Sequence, residues 1–315
     1  MLDVDLVHGI QFKNRFHVLS DNRSARFQPE AVLRLGRIFN ASQSSTIRDT
    51  KNLSVPAVPL QLSLNGGQDS NAPLRILVLV MTIAANLQTK ALAVKDTWGK
   101  RCDVLIFFSS ESDKNFPAIG LGTPEGRGHL TAKTMAAFRY IYEYHFNDAD
   151  WFMKADDDTF MIVENLRLFL ASKNSSEPIY FGHLFKLYVK QGYYSGGGGY
   201  VISKEALRRF GHNAVNSDLC PQDGGAEDLN FGLCMERLGV VTSPSLDAHG
   251  RTLFHAVGTK TSVLDRTPSW LWRYTAKSPH RASDISKNAI SFHYITPDEM
   301  RMLDFFLYHL KSHES

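Results

Sequence analysis

The sequence contains no long hydrophobic run and no block of a single charge. Its 315 residues carry 35 Lys and Arg against 32 Asp and Glu, which gives a net charge of +3 without a concentrated basic stripe. Nucleic-acid binding normally requires such a stripe, so that class of function is disfavoured. The best apolar segment, Ile76–Thr82, has the length of a strand and is too short to span a membrane.

Cysteine is scarce, with only Cys102, Cys220 and Cys234. The absence of a Cys-x-x-Cys pair disfavours zinc or redox chemistry, and the odd number leaves at least one thiol unpaired. The amino terminus has neither the basic nor the apolar region of a secretory signal. Read literally, this start predicts a soluble, untargeted chain, and it is equally compatible with the shortened start of a longer protein. Sequons for N-glycosylation, relevant only in the secretory pathway, occur at Asn22, Asn40, Asn52 and Asn174.

The chain divides by pattern into two parts. Residues 1–73 are polar with little periodicity and predict a weakly structured stem or linker, whereas residues 74–315 alternate between strand and helix patterns. This alternation predicts an α/β fold with a mostly parallel sheet flanked by helices. The main predicted elements are strands Arg75–Thr82, Val104–Ser110, Trp151–Ala155 and Tyr200–Ile202, and helices Leu87–Lys100, Thr131–Phe146, Ile162–Ser172, 204–210, Glu227–Leu238 and Met300–Lys311.

Three adjacent carboxylates, Asp156, Asp157 and Asp158, follow the apolar run Trp151–Ala155. Like charges repel, and a core does not accept them unpaired, so they belong at the carboxyl end of the strand. Parallel α/β sheets bind ligands at that edge. A divalent metal that holds a diphosphate would satisfy these hard oxygen ligands. The alternative is an acidic turn or helix cap before Ile162–Ser172.

Two further motifs carry both a functional and a structural interpretation. The glycines of the run 196–199 lack the spacing of a phosphate loop, and they allow either close backbone approach to a ligand or a flexible hairpin. Glu227 and Asp228 open a predicted helix, where acidic residues are ordinary caps. In a cleft with a bound diphosphate, a carboxylate there could instead accept a hydroxyl proton as a catalytic base.

Aromatic residues surround two other candidates. His293 lies between Phe292 and Tyr294, so it is either a packed, hydrogen-bonded histidine or a metal ligand that completes an aspartate site. Trp270 and Trp272 lie in a cluster interrupted by arginine, which indicates a loop rather than a helix stripe. Tryptophan faces stack on the apolar faces of sugars, so this cluster is either core or an acceptor-binding surface.

Taken together, the motifs resemble one family, the core 1 β1,3-galactosyltransferases, which extend O-linked GalNAc on glycoproteins and are related to Fringe glycosyltransferases. The resemblance runs in order from about Leu74 to Leu310. The segments that carry it are Val94–Cys102, Asp148–Asp158, Pro178–Gly182, Val189–Tyr193, Ser195–Leu207, Glu227–Leu229 and Ala289–Tyr294.

The resemblance implies a GT-A-like, inverting transferase that uses Mn²⁺ and UDP-galactose. Position by position, it implies that Asp158 and His293 bind Mn²⁺ and that Asp228 takes the proton from the acceptor 3-hydroxyl. The other implied contacts are Asp156, Asp157, Thr82, Gly197 and Gly198 with the nucleotide-sugar, and Trp270, Trp272 and Glu227 with the acceptor.

The family also sets expectations for pairing, partners and location. Cys220 and Cys234 match a family disulfide, whereas Val78 replaces a family cysteine and leaves Cys102 without its partner. The implied acceptor is a GalNAc-bearing glycoprotein in the Golgi lumen, with a membrane anchor that this sequence does not show, and a homodimer stays open. The alternatives are a non-catalytic, chaperone-like paralogue, a sugar-binding module, and a related β1,3-glycosyltransferase that uses another UDP-sugar.

Overall fold

A computed structural model describes residues 74–275 and 282–310, so the predicted stem of residues 1–73 lies outside the described residues. The strands are β1 (Ile76–Met81), β2 (Val104–Ser109), β3 (Ala118–Gly120), β4 (Trp151–Asp156), β5 (Phe160–Met161), β6 (Ile179–Gly182), β7 (Leu184–Phe185), β8 (Tyr193–Tyr194), β9 (Tyr200–Ser203), β10 (Val241–Thr242), β11 (Phe254–His255) and β12 (Ser291–Phe292). The α-helices are α1 (Leu92–Asp96), α2 (Leu130–His145), α3 (Val163–Leu170), α4 (Lys204–Asn213), α5 (Glu227–Arg237), α6 (Thr259–Val263), α7 (Ser269–Tyr274) and α8 (Pro297–Tyr308).

The central sheet has seven strands in the order β10-β6-β9-β4-β1-β2-β3. Strand β1 pairs in parallel with β2 and β4, β2 with β3, and β6 with β10, while β9 runs antiparallel between β4 and β6. The prediction of an α/β fold with a mostly parallel sheet is therefore confirmed. In the central sheet, as far as the structure describes it, β9 is the one strand that runs antiparallel to its neighbours. No sequence pattern indicated this direction.

Helices cover both faces of the sheet because β4 alternates its side chains between two apolar cores. Trp151 and Met153 pack in a core that contains residues of α1, α3 and α8. Phe152 packs in a second core with residues of α2, α4 and α5. Lys154 and Asp156 have the parity of Phe152, so they lie on the face that α5 covers.

A second, three-stranded sheet has the order β11-β12-β5 and continues the chain from the aspartate triplet. Strand β5 pairs antiparallel with β12, with Phe160 opposite Phe292 and Met161 opposite Ser291. In an antiparallel pair, the residues before one strand lie beside those after the other. This register brings Asp158 next to His293, although 134 residues separate them in the sequence.

Several helix boundaries follow from local capping chemistry. The Ser203 side chain accepts a hydrogen bond from the Ala206 amide at the start of α4. Thr296 and Glu299 form a reciprocal capping box at the start of α8. Helix α5 is followed by Gly239, whose φ of +67° suits glycine.

Two predicted segments were wrong in detail. The predicted helix Leu87–Lys100 is broken into a π-helical turn (Leu87–Ala91), the short α1 and a 3₁₀ turn (Trp98–Arg101). The aromatic cluster forms the short helix α7 rather than a loop. Pro268 precedes its first turn, where a missing amide hydrogen has no effect on helical bonding, and Leu271 is the residue that α7 buries.

Cys220 and Cys234 form a disulfide that joins the segment before α5 to the helix itself, the pairing that the resemblance implies. Cys102 is a free, half-buried thiol whose sulfur lies 3.9 Å from the Trp98 carbonyl oxygen. Burial raises the pKa of the Cys102 thiol to about 12, with a further contribution from Asp103. Among the described residues, every helix is too short or too polar to cross a lipid bilayer.

Candidate active site

The aspartate triplet ends β4, and its three carboxylates face different partners. Asp157 accepts hydrogen bonds from Thr82 Oγ1 at 2.7 Å and from Asn86 Nδ2 at 2.8 Å. Burial raises the pKa of Asp157, and these two hydrogen bonds oppose that rise. Thr82, at the end of the neighbouring β1, is itself buried. Thr82 and Asp157, two of the residues predicted to contact the nucleotide-sugar, are thus bonded to each other at the strand ends.

Asp158 lies between a lysine and a histidine. Its Oδ2 is 3.3 Å from Lys90 Nζ, and its Oδ1 is 3.3 Å from His293 Nε2. Burial alone would raise the pKa of Asp158, but the hydrogen bonds and charges of His293 and Lys90 outweigh it and lower that pKa to about 2. Asp158 therefore stays ionised near neutral pH.

Asp156, Asp158 and His293 form a cluster that could hold a metal ion. One ligand atom from each lies within 4.8 Å of the others, and all three side chains are half-buried. Two carboxylate oxygens and an imidazole nitrogen suit Mn²⁺ and tolerate Mg²⁺. The predicted ligands Asp158 and His293 come together as expected, and Asp156, predicted to contact the nucleotide, joins them.

Two residues before Asp156, β4 carries a buried lysine, Lys154. The Lys154 side chain is 3% exposed, and its Nζ is 2.7 Å from Asp156 Oδ1 and 3.6 Å from Glu227 Oε2. It also donates a hydrogen bond to the Gly196 carbonyl at 3.1 Å. Burial would lower the pKa of Lys154, but the surrounding carboxylates raise it above its usual value. The ammonium group is therefore charged and fully engaged.

Glu227 points inward rather than toward solvent. Its Oε1 accepts a hydrogen bond from the Tyr200 hydroxyl at 2.8 Å, and its Oε2 faces Lys154. Burial raises the pKa of Glu227, while Lys154 acts in the opposite direction. These contacts use both carboxylate oxygens of a side chain predicted to bind the acceptor.

Asp228, the predicted base, is half-buried at the first turn of α5. Its Oδ1 accepts a hydrogen bond from the Leu229 amide at 2.9 Å, and its Oδ2 accepts one from the Gly196 amide at 3.3 Å. Burial raises the pKa of Asp228, and these backbone bonds partly oppose the rise. Both bonds come from backbone amides, so the orientation of this carboxylate depends on the glycine run.

The glycine run is not a flexible hairpin. Residues Gly196, Gly197 and Gly198, called here the glycine strip, have successive carbonyls that accept hydrogen bonds from different side chains. These donors are Lys154 Nζ at 3.1 Å, Thr159 Oγ1 at 2.9 Å and Ser291 Oγ at 2.5 Å. The strip therefore ties β4, the turn after the aspartates, and β12 together.

The two tryptophans predicted to bind the acceptor, Trp270 and Trp272, both lie in α7. Trp270 packs at the edge of a small apolar core with Leu229, the residue after Asp228, while Trp272 is 51% exposed. Tyr193 belongs to the same core, and burial together with the charge of Asp228 raises its pKa. Trp270 thus packs against the same apolar core as the neighbour of Asp228, and Trp272 faces solvent.

Lys154, Lys90 and Thr159 were missed as site residues from the sequence. Lys154 carried a signal, because a lysine inside an apolar strand needs a buried counter-charge. The sequence did not show which carboxylate supplies this counter-charge, because Glu227 lies 73 residues further along the chain. Lys90 sits in the π-helical turn, whose geometry the helix pattern did not reveal.

The position of Gly197 gives a test of the site geometry. A Cβ at Gly197 would overlap the His293 ring, whereas a Cβ at Gly128 would meet nothing within 4 Å. We expect Gly197→Ala to displace His293 and to lower both metal affinity and turnover by about tenfold or more, as for a disturbed ligand shell. Gly128→Ala is the control and should match the parent. Calorimetric Mn²⁺ titration with circular dichroism checks this, and a Gly197→Ala protein with parental metal affinity would contradict the geometry.

Comparison with known proteins places this site in context. The Fringe-like family model matches residues 73–294. Glycoprotein-N-acetylgalactosamine 3-beta-galactosyltransferase 1 of Xenopus laevis is 43% identical over 254 residues, covering 78% of this chain and 69% of the frog protein. Beta-1,3-glucosyltransferase of Mus musculus is 29% identical over 65% of this chain, but the chain spans only 40% of its length. A crystal structure of the galactosyltransferase LgtC with donor and acceptor sugar analogs aligns with 75% of this chain and 97% of that one, with a TM-score of 0.37 and 11% identity.

A mostly parallel sheet with an Asp-rich cluster at a strand end is the GT-A-like arrangement of glycosyltransferases. The family match covers most of the described residues and includes the aspartate triplet, Asp228 and His293. The chain belongs to the Fringe-like family and resembles the core 1 β1,3-galactosyltransferases within it.

Proposed function

We propose that residues 74–315 transfer galactose from UDP-galactose, in β1,3 linkage and with inversion, to GalNAc on serine or threonine of glycoproteins. The observation that carries the proposal is the connection between two sites. Asp228 binds the Gly196 amide, the Gly196 carbonyl binds Lys154, and Lys154 pairs with Asp156 in the metal-capable cluster. A base candidate and a group of possible metal ligands thus lie on one bonded unit, which is compatible with a single displacement between a donor and an acceptor bound side by side.

On the donor side, Asp158, His293 and Asp156 would hold the metal ion. When bound, Mn²⁺ neutralises charge on the departing UDP. Asp157, oriented by Thr82 and Asn86, is proposed to contact the nucleotide.

On the acceptor side, Asp228 is proposed to take the proton of the GalNAc 3-hydroxyl. Burial raises its pKa, which makes it a stronger base than an exposed aspartate, while the Gly196 and Leu229 amides fix its direction. Trp270 is proposed to pack on the sugar, with Trp272 at the solvent side. The inward contacts of Glu227 favour a supporting role over the predicted contact with the acceptor.

A secretory location is part of the proposal. The Cys220–Cys234 disulfide suits an oxidising compartment, since cytosolic proteins seldom keep such bonds. We propose the Golgi lumen, with attachment to the membrane as the family resemblance implies. Asn174, in a turn after α3, is an exposed sequon that would then be accessible.

One of the three alternatives has support of its own. The likeness to a beta-1,3-glucosyltransferase keeps another UDP-sugar open as donor. A chaperone-like paralogue or a sugar-binding module would need neither the triplet nor the base. The bonded geometry around Asp156, Asp158 and Asp228 favours an enzyme over these two.

A donor panel tests the proposal. The full chain, expressed in a secretory host, is incubated with Mn²⁺, a GalNAc-peptide and UDP-galactose, UDP-glucose or UDP-GlcNAc in turn. We expect product from UDP-galactose at a rate at least about tenfold above the other donors, the scale that one pocket contact provides. Mass spectrometry and linkage analysis identify the product. Transfer from UDP-glucose or UDP-GlcNAc instead would replace the donor assignment, and no transfer with intact fold would favour the non-catalytic alternatives.

A further inference from the structure

The packing of β4 does not require a lysine at position 154. Its neighbours on β4 are apolar and buried, and Phe152, two residues before it on the same face, packs in the α5-side core. An apolar side chain at 154 would continue that core without the desolvation of an ammonium group. The lysine therefore serves something other than packing.

The contacts of Lys154 join the two halves of the site. On the donor side its ammonium pairs with Asp156 at 2.7 Å. On the acceptor side it binds the Gly196 carbonyl at 3.1 Å and faces Glu227 at 3.6 Å. Glu227 precedes Asp228 in α5, and the Gly196 amide bonds Asp228 itself. The ammonium therefore contacts Asp156, the glycine strip and the first turn of α5 at once.

The rest of the glycine strip is held independently of Lys154. Thr159 and Ser291 bind the Gly197 and Gly198 carbonyls, so loss of the ammonium would loosen only the Gly196 end, whose carbonyl would keep the turn bond from the Gly199 amide at 3.0 Å. That end is the one that carries the amide bonded to Asp228. A change at Lys154 should thus reach the base while leaving Asp158 and His293 in place.

We propose that Lys154 is a positioning residue that holds Asp228 at a fixed distance from Asp156 through residue Gly196, whose carbonyl binds Lys154 and whose amide binds Asp228. It does not touch the reacting atoms. Its effect is on the direction in which the carboxylate meets the acceptor hydroxyl, and a misplacement of about 1 Å can lower a rate on the order of 10²-fold. The catalytic part of this inference rests on the proposed function, whereas its structural part does not.

Arg101 offers a matched control on the far side of the sheet. Its guanidinium binds Asp304 at 2.7 Å, Glu164 at 3.6 Å and the Thr97 carbonyl at 3.1 Å, next to the Tyr308 ring. Lys154 likewise has two carboxylates, one carbonyl and a nearby ring, that of Tyr200. Arg101→Met therefore removes an equivalent ion cluster away from the glycine strip.

The test compares Lys154→Met with Arg101→Met in the full chain. Hydrogen exchange of a peptide covering 192–200, which begins early enough for the Gly196 amide to keep its label, reports that amide without any substrate. We expect exchange there to be faster by about tenfold or more in Lys154→Met, as for a lost amide bond, and unchanged in Arg101→Met. If Lys154→Met does not fold, Lys154→Gln, which can still donate to the carbonyl, takes its place with an intermediate effect expected.

Kinetics separates positioning from general damage. We expect kcat to fall by roughly 10- to 100-fold in Lys154→Met, while UDP affinity with Mn²⁺ stays within about threefold of the parent. Equal exchange in the two variants, or parallel losses of kcat and UDP affinity in Lys154→Met, would overturn the proposal. Should the parent transfer no sugar at all, the proposed function fails while the exchange result still decides the role of Lys154.

Discussion

Replacing Asp228 with Asn will lower turnover by about 10²-fold or more and leave UDP affinity nearly unchanged. The amide has the shape of the carboxylate but cannot accept a proton near neutral pH. The parental contacts of Asp228 are with backbone amides of Gly196 and Leu229, so the substitution disturbs no ion pair. Steady-state kinetics on a GalNAc-peptide, with calorimetry for UDP, measures both quantities.

The pH profile gives a second readout of the same substitution. Because burial raises the pKa of Asp228, its carboxylate gains a proton at a higher pH than an exposed aspartate does. The rate should therefore rise with pH through that raised pKa, and Asp228→Asn should remove this acid limb. Asp223→Asn is the control, since Asp223 pairs with His129 at the surface of the same segment. Parental turnover in Asp228→Asn would move the base elsewhere, with Glu227 the first candidate.

Removal of divalent metal will abolish transfer, and Mn²⁺ will restore it. Asp156, Asp158 and His293 hold their ligand atoms within 4.8 Å, and Asp158 stays ionised, so the cluster is ready for a cation. Asp158→Asn should weaken Mn²⁺ binding by at least about tenfold, because altered metal shells lose affinity on that scale.

A matched pair elsewhere provides the control for the metal experiment. Asp148 and His145 form a surface contact of 2.7 Å, and among the described residues this pair belongs to no cluster of three possible metal ligands. Asp148→Asn should leave both Mn²⁺ affinity and rate at parental values. Full activity of the parent in excess chelator would exclude the metal assignment, whatever the variants show.

The sequence predicted those parts of the fold that depend on local pattern. Apolar runs located β1, β2 and β4, and the helix patterns located α4 and α8, although α8 begins at Pro297 rather than at the predicted Met300. The aspartate triplet was placed at a strand end by charge repulsion alone. Each of these inferences needs only neighbouring residues, which is why they could be made without a structure.

Features that depend on distant pairing could not be predicted. Strand β9 pairs antiparallel with both β4 and β6. This pairing depends on residues far away in the sequence, so residues 200–203 alone do not predict it. Lys154 became interpretable only with Glu227 and Gly196 beside it. The α7 helix was mistaken for a loop because Arg273 interrupts the aromatic residues, whereas in six helical residues it simply faces solvent.

The place of β9 in the sheet also sets an order of assembly during synthesis. Strands β1, β2 and β4 can pair as soon as they leave the ribosome, but the outer edge of β4 stays open until residues 200–203 arrive. An open strand edge can pair with other chains. Strand β4, which borders that edge, carries Lys154 and Asp156 on one of its faces, and charges on an edge strand oppose such pairing. We therefore expect Lys154 and Asp156 to oppose aggregation of the nascent chain until β9 pairs with β4.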